Sequence, residues 1–380
     1  MDDCSAMDVT TMDGDPDQDA DRSSTHSSKD GRTSAAPVLI RGASNPPVHA
    51  SDGLLVVREQ LRERGISAEG AEILLASWKP GTRRQYHPHI KRWAQYCDRR
   101  HVDSLNPNVS NIINFLSDVF HRELGYESVN TARSALSSLG IVVNGCTAGS
   151  HPLVVRFMKG VFNLRPSLPR YTETWDVQPV LRVLRGMFPL QSLSFKDLTL
   201  KLVMLMALTQ AARVQTLHLL GIPIQVDKQD SISVPLCGAI KQCRQNFNVR
   251  VIQFRAFPQD NSLCVCTTLH HYLDRTSGLR QVTLCENAKL LISFVKPHRP
   301  VSGSTIARWI KTIMCRSGVD TGKFTAGSVR QAAASRAKAA SVPISCIMAK
   351  AGWSRERTFA KFYDKTIVEA GDPFQDAVLA

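Results

Sequence analysis

Apolar residues recur at helical spacing through the first folded part of the chain. From about residue 54 to residue 164 they repeat every three or four positions, as expected for one buried face of a helix. The clearest stripe consists of Tyr86, Ile90, Trp93, Ala94 and Cys97. Pro88 lies inside this stripe and predicts a kink or a later start of that helix. The pattern therefore predicts a helical bundle over 54–164.

The pattern changes in the second half of the chain. Residues 165–175 contain two prolines and no periodicity, which predicts a linker between separately folded units. Beyond the linker, most segments again have helical spacing, but 231–236 and 247–256 are rich in β-forming residues and flank a hairpin loop. We expect a mainly α domain with a small antiparallel sheet over 176–368.

Composition separates the two ends from the folded region. Residues 1–50 are rich in Asp, Ser, Thr and Gly and predict a disordered acidic tail, and 369–380 predict a loosely held C-terminal tail. No apolar stretch approaches the roughly 20 residues that span a bilayer, and the acidic N-terminus does not resemble a secretory signal. We therefore expect an intracellular protein without a membrane partner.

Charge indicates the class of partner. Residues 1–35 hold nine Asp against three basic residues, so that the net charge of +14 leaves about +20 for the remainder. A region this basic favours nucleic acid as its partner, although a generically basic protein is the alternative. In the bundle, the candidate DNA-binding residues are Arg83, Arg84, Lys91 and Arg92.

The sequence lacks the common catalytic signatures. It contains no phosphate-binding glycine loop, no dinucleotide fingerprint, no serine nucleophile elbow and no zinc-protease motif. The ten cysteines have no metal-binding spacing, and the acids of the second domain are dispersed, so we expect neither a metal nor a cofactor. Phosphoryl transfer without a metal needs cations for the phosphate oxygens, an acid for the leaving group and a nucleophile.

Four side chains in the second domain supply those groups. They are Arg213, Lys241, Arg330 and Tyr363. Each also has an ordinary structural interpretation, because such residues often form salt bridges, remain solvated in loops or pack in cores. Their chemistry alone leaves both interpretations open.

The order of these residues resembles that of the tyrosine recombinases, also called the phage integrase family, and most closely the branch found in DIRS-like and Ngaro-like retrotransposons of eukaryotes. The resemblance runs from about residue 70 to residue 365. It rests on five stretches in order: SWKPGTRRQYHPHIKRWAQYC, LTQAARVQTLHLL, AIKQCRQNF, SVRQAAASRAKAA and AGWSRERTFAKFY. It implies a core-binding domain followed by a catalytic domain.

The resemblance implies a role for each candidate. Tyr363 is the nucleophile that forms a 3′-phosphotyrosine, Arg213 and Arg330 bind the phosphate, and Lys241 protonates the leaving 5′ oxygen. Trp353 packs against the phosphate site, and Arg244 in the hairpin is a candidate DNA contact. The implied protein is a nuclear recombinase or integrase that assembles as a homotetramer on double-stranded DNA.

Gly327 departs from the family pattern. A histidine usually stands three residues before the second arginine, and glycine offers neither a hydrogen bond nor a base. Loss of such a group typically lowers a rate by about 10²- to 10⁴-fold. A catalytically weak or inactive DNA-binding protein is therefore the main alternative, and a type IB topoisomerase, which shares the chemistry, ranks third.

Overall fold

The chain forms two compact units. The computed structural model describes residues 53–122, 125–167, 171–227, 230–243, 248–280, 288–354 and 356–368. The division falls between Leu168 and Pro169, inside the segment predicted as a linker. The predicted tails, 1–50 and 369–380, and the predicted DNA contact Arg244 lie outside the described residues.

The described part of the first unit is a helical bundle with one short hairpin. Its helices are α1 (Gly53–Glu63), α2 (Ala68–Ala76), α3 (Pro80–Arg100), α4 (Val109–His121), α5 (Tyr126–Ser138) and α6 (Pro152–Leu164). The hairpin pairs β1 (Val142–Val143) with β2 (Cys146–Thr147) through Asn144 and Gly145, which both have positive φ. Glycine and asparagine tolerate that conformation, so this two-residue turn follows from the local sequence.

Helix α3 carries the central core residues of this unit. It begins at Pro80, where the missing N–H costs nothing, and continues through Pro88. The predicted later start is therefore wrong. Trp93 is fully buried against Tyr96 and Phe115, and its Nε1 donates to the carbonyl of Ser104 at 3.1 Å. The apolar stripe thus faces the core.

The second unit surrounds an apolar central helix. In its described part the helices are α7 (Gln178–Gly186), α8 (Phe195–Thr209), α9 (Val214–Leu219), α10 (Val265–Thr276), α11 (Gly303–Arg316), α12 (Ser328–Ala339), α13 (Ile344–Ala351) and α14 (Glu356–Phe362). Helix α8 is buried from Leu198 to Ala207 and contacts α10, α11 and α12. A helix that is apolar on every side is stable only in such a central position.

Two small sheets complete the described part of this unit. Strands β4 (Gln225–Asp227), β5 (Ser231–Pro235) and β6 (Val251–Arg255) form an antiparallel sheet in that order. Strands β3 (Glu173–Trp175) and β7 (Thr366–Val368) pair in parallel. The sequence predicted the β5–β6 hairpin, whereas β3 lies within the predicted linker.

One lysine is buried in the core of the second unit. Lys201 on α8 is fully buried and donates from Nζ to the carbonyls of Leu184 (2.9 Å) and Met187 (2.6 Å) at the end of α7. Burial lowers the pKa of Lys201 to about 8. The side chain therefore satisfies carbonyls that a helix end leaves without intrahelical partners.

None of the helices in the described ranges is long and apolar enough to cross a membrane.

Candidate active site

Arg330 is the centre of the candidate site. It lies in the first turn of α12, where only 3% of its surface is exposed. Its Nη1 donates to the carbonyl of Ala211 at 2.6 Å, and its Nη2 donates to the carbonyl of Ala351 at 2.8 Å. Alanines dominate α12, so neighbouring segments can approach its backbone closely. The two carbonyls fix the plane of the guanidinium.

The Ala211 carbonyl brings the segment of Arg213 to this centre. Helix α8 ends at Thr209, and Ala211 adopts a positive φ of 42° in the tight turn that follows. Arg213 comes next as the N-cap residue of α9, and its side chain is half-buried. The turn therefore presents a carbonyl to Arg330 two residues before Arg213.

The hairpin of Lys241 reaches the same centre through the neighbouring residue. Lys241 is half-buried in the turn between β5 and β6. Gln242 donates from Nε2 to the carbonyl of Ala351 at 3.2 Å. Ala351 thus accepts hydrogen bonds from both Gln242 and Arg330.

Trp353 and Tyr363 cover the guanidinium of Arg330. Helix α13 ends at Ala351, and Gly352 takes a left-handed conformation (φ 71°) that turns the chain toward Trp353. The ring centroids of Trp353 and Tyr363 lie 4.3 Å apart. The Cζ of Arg330 is 4.3 Å from the Trp353 ring and 5.3 Å from the Tyr363 ring, within the range of cation–π attraction.

The backbone around Tyr363 is held against α12. Ser335 donates from Oγ to the carbonyl of Tyr363 at 2.8 Å and accepts from the N–H of Lys365 at 3.2 Å. Lys338 forms an ion pair with Asp364. Tyr363 follows the end of α14 and is half-buried. The helix that carries Arg330 therefore also positions the backbone of the candidate nucleophile.

The indole nitrogen of Trp353 is a buried donor within this cluster. The side chain is 8% exposed and packs on Phe359 at a ring distance of 5.5 Å. Among the described residues, its Nε1 has no hydrogen-bond partner. A buried donor of this kind is costly unless another acceptor satisfies it.

Gly327 leaves open space three residues before Arg330. It is exposed and has ordinary helical dihedral angles (φ −66°, ψ −26°). A Cβ atom at this position would meet only the Oγ1 of Thr325, at 3.7 Å, which is an ordinary contact distance. The backbone can therefore accept a side chain at Gly327 without strain.

Sequence reasoning predicted the residues of the cluster but missed the groups that hold them. The structure brings Arg330, Trp353 and Tyr363 into direct contact, and it connects the segments of Arg213 and Lys241 through their neighbours. Gln242, Ser335 and the two carbonyls were missed, because no motif marks a carbonyl acceptor. The sequence signal that could have indicated Gln242 was its position next to Lys241. In the described ranges, no group of three His, Cys, Asp or Glu side chains is arranged to hold a metal ion.

The basic residues predicted on α3 differ in their surroundings. Arg84 is exposed, and Lys91 and Arg92 are half-buried; around the helix axis Lys91 lies about 20° from Arg84 and Arg92 about 80° from it on the other side. Arg83 lies about 100° from Arg84 and opposite Arg92 around the axis, and it donates from Nε and Nη2 to the carbonyl of Leu75 at the end of α2. Arg83 therefore caps a helix, whereas the other three form a basic face.

The fold matches that of DNA recombinases. Neither the models of known protein families nor the curated proteins match the sequence. Among solved structures, the XerH site-specific recombinase bound to a palindromic difH substrate has a TM-score of 0.52 and 13% identity, with 82% of this chain and 93% of that chain covered. The Tn1549 transposon integrase in complex with transposon right end DNA has a TM-score of 0.51 and 13% identity, with 86% and 98% covered.

These similarities define the class of fold. The chain is mainly helical with small sheets and has the tyrosine recombinase fold, so the predicted fold class is confirmed. At 13% identity the likeness concerns the fold. The DIRS-like or Ngaro-like origin stays a prediction from the sequence.

Proposed function

We propose that the protein breaks and rejoins DNA strands through a covalent 3′-phosphotyrosine at Tyr363. One observation carries this proposal: the Tyr363 ring lies against Trp353 and beneath the guanidinium of Arg330, whose own position two carbonyls fix. A nucleophile beside a buried, oriented cation is the arrangement that attack on a phosphodiester requires. The recombinase fold supports the same reaction.

In the proposed reaction each group has one task. The phenolic oxygen of Tyr363 bonds to phosphorus as the bond between phosphorus and the 5′ oxygen breaks. The phenol proton leaves to solvent, and Lys241 gives a proton to the departing 5′ oxygen. Arg213 and Arg330 bind the non-bridging oxygens, and Trp353 donates its indole N–H to the phosphate. The reverse attack by another 5′ hydroxyl rejoins the strands, and no external energy source is needed.

The proposed substrate is double-stranded DNA. Arg84, Lys91 and Arg92 form the basic face of α3 that contacts the phosphate backbone, and Arg244 is a further proposed contact. The net charge of about +20 outside residues 1–35 supports a polyanionic partner. The DNA in the XerH and Tn1549 integrase structures supports this choice.

We further propose that DNA induces a homotetramer and that the protein acts in the nucleus. Recombination between two sites needs four coordinated strand cleavages, which four protomers supply. Sedimentation of the protein with paired duplexes tests the assembly. A complex containing a single protomer would refute the tetramer.

Gly327 favours a second candidate function. A protein that binds DNA without cutting it fits the missing side chain three residues before Arg330. Basic charge and the two-unit organisation suit both functions equally. Detection of the covalent intermediate separates them.

The test uses a pool of duplexes with a randomised central segment and a nick, which traps cleaved strands on the protein. Covalent adducts are isolated on denaturing gels, and their DNA is sequenced to obtain a defined substrate. We expect an adduct with the wild type and none with Tyr363→Phe. No adduct, together with salt-sensitive duplex binding, would refute strand transfer and favour the binding protein.

A further inference from the structure

One backbone carbonyl joins two segments that are distant in sequence. The oxygen of Ala351 accepts from Nη2 of Arg330 at 2.8 Å and from Nε2 of Gln242 at 3.2 Å. Gly352 and Trp353 follow Ala351 in the chain, and the indole of Trp353 covers the guanidinium of Arg330. The Lys241 turn is thus attached to the segment that covers Arg330.

The packing around Gln242 is tight. A Cβ atom on Gly352 would lie 2.9 Å from Cγ of Gln242 and 3.0 Å from its Nε2, so the two residues are in close contact. Within the described ranges, the buried Oε1 of Gln242 has no hydrogen-bond partner. The amide is therefore oriented through its Nε2 and through the absence of a side chain at Gly352.

The contact links the Lys241 turn to the end of α13, whereas Arg330 is also held elsewhere. Arg330 has a second carbonyl acceptor at Ala211 and stacks on Trp353. On the hairpin side, Ile240 is buried and accepts from the N–H of Cys243, which closes the turn but does not attach it to α13. Gln242 makes that attachment one residue from Lys241.

We propose that Gln242 is a positioning residue for Lys241: its hydrogen bond to Ala351 fixes the distance between the Lys241 ammonium and the phosphate bound at Arg330. This inference rests on the proposed strand transfer and on Lys241 as its acid. A lysine side chain has four rotatable bonds, so the placement of its backbone determines where the ammonium can reach. A displacement of about 1 Å lowers a rate by about 10²-fold.

The inference is tested with two versions of the defined suicide duplex. One has the natural 5′ oxygen at the cleavage point, and the other has sulfur in place of that bridging oxygen. When Tyr363 attacks the second duplex, the bond between phosphorus and sulfur breaks and a thiolate leaves. Because a thiol has a pKa of about 8.5 and water one of about 15.7, the thiolate leaves without a proton from Lys241.

The expected pattern separates positioning from a general structural role. With the oxygen substrate, Gln242→Met forms the adduct about 10²-fold more slowly than the wild type. With the sulfur substrate, the rate of Gln242→Met is within about tenfold of the wild-type rate. Lys241→Met shows the same pattern with a larger loss. Arg330→Lys stays slow on both substrates, because phosphate binding does not depend on the leaving group.

Two further variants serve as control and support. Gln253→Met makes the same change in β6, where the exposed amide binds Oγ of Ser231, and leaves both rates unchanged. Gln242→Asn keeps the amide but shortens its reach, so it reproduces the Gln242→Met pattern even if the methionine variant folds poorly.

Three results would overturn the inference. Wild-type rates for Gln242→Met on both substrates would show that the contact has no effect, and equal losses on both would show that it acts through Arg330 or the fold. Absence of an adduct from the wild type on either substrate would refute strand transfer itself, and with it this inference. The wild-type adduct is measured before any variant is made, so failure of strand transfer is distinguished from failure of the positioning role.

Discussion

Replacing Arg330 with lysine tests the structural basis of the candidate site. Lysine keeps the charge but has one terminal nitrogen on a shorter side chain. We expect it to lose one of the two carbonyl hydrogen bonds and much of the contact with Trp353. A hydrogen bond from a charged donor contributes about 1.5 to 3 kcal/mol, and a desolvated cation–π contact about 1 to 2 kcal/mol. Because the side chain is 3% exposed, solvent does not screen these interactions.

The expected loss is about 2 to 4 kcal/mol in the free energy of unfolding of the second unit. In a unit of this size, that lowers its melting temperature by roughly 5 to 15 °C. Differential scanning calorimetry measures the shift, and the suicide duplex measures the accompanying loss of adduct, which we expect to be about 10²- to 10³-fold. The control is Arg336→Lys, the same change at an exposed position of α12. Equal melting temperatures for the two variants would refute the anchoring role of the carbonyls.

Three other changes probe separate parts of the molecule. Arg84→Ala should weaken binding to all duplexes and lower the salt dependence of the binding constant by about one counterion, which titrations at several salt concentrations measure. Arg83→Ala should instead lower the free energy of unfolding of the first unit by about 1 kcal/mol, which urea unfolding measures. Gly327→His should raise the rate of adduct formation by about 10²-fold without changing the melting temperature, and an unchanged rate would mean that the missing histidine is not the limiting group. The pKa of Lys201 is lowered by burial from 10.5 to about 8, so the folded state binds fewer protons than the unfolded state between these values. Between about pH 8 and pH 10.5 the wild type should therefore gain up to about 1.4 kcal/mol of stability per pH unit relative to Lys201→Met, and parallel curves in urea unfolding would contradict the buried charge.

Helical spacing predicted most of the architecture because it reflects burial of one helix face. The buried helix α8, Phe195–Thr209, lies beyond the linker where helical spacing was predicted, and Ile90, Trp93 and Cys97 of the stripe on α3 are buried as expected. Local sequence patterns did not predict a strand whose partner is distant in the sequence. Strand β3 was assigned to the linker because its partner β7 lies at the other end of the unit.

The candidate site was only partly accessible from the sequence. The order of the five motifs placed Arg330, Trp353 and Tyr363 in one reaction, and the structure places their side chains in one cluster. The sequence could not predict which carbonyls orient Arg330, because the direction of a carbonyl depends on turns such as the one at Ala211. Arg83 and Arg84 are neighbours of the same type in the sequence, yet helix geometry gives one a capping role and leaves the other in solvent.

The parallel pair of β3 and β7 has a consequence for how the chain folds. Glu173 pairs with Thr366, about 190 positions later, so this ladder forms only after the intervening chain has closed a very long loop. Contacts at such separation slow folding. On a ribosome, a chain that has not yet emerged as far as β7 lacks this ladder. Tyr363, which precedes β7 by three residues, is therefore among the last groups of this unit to be fixed in place during synthesis.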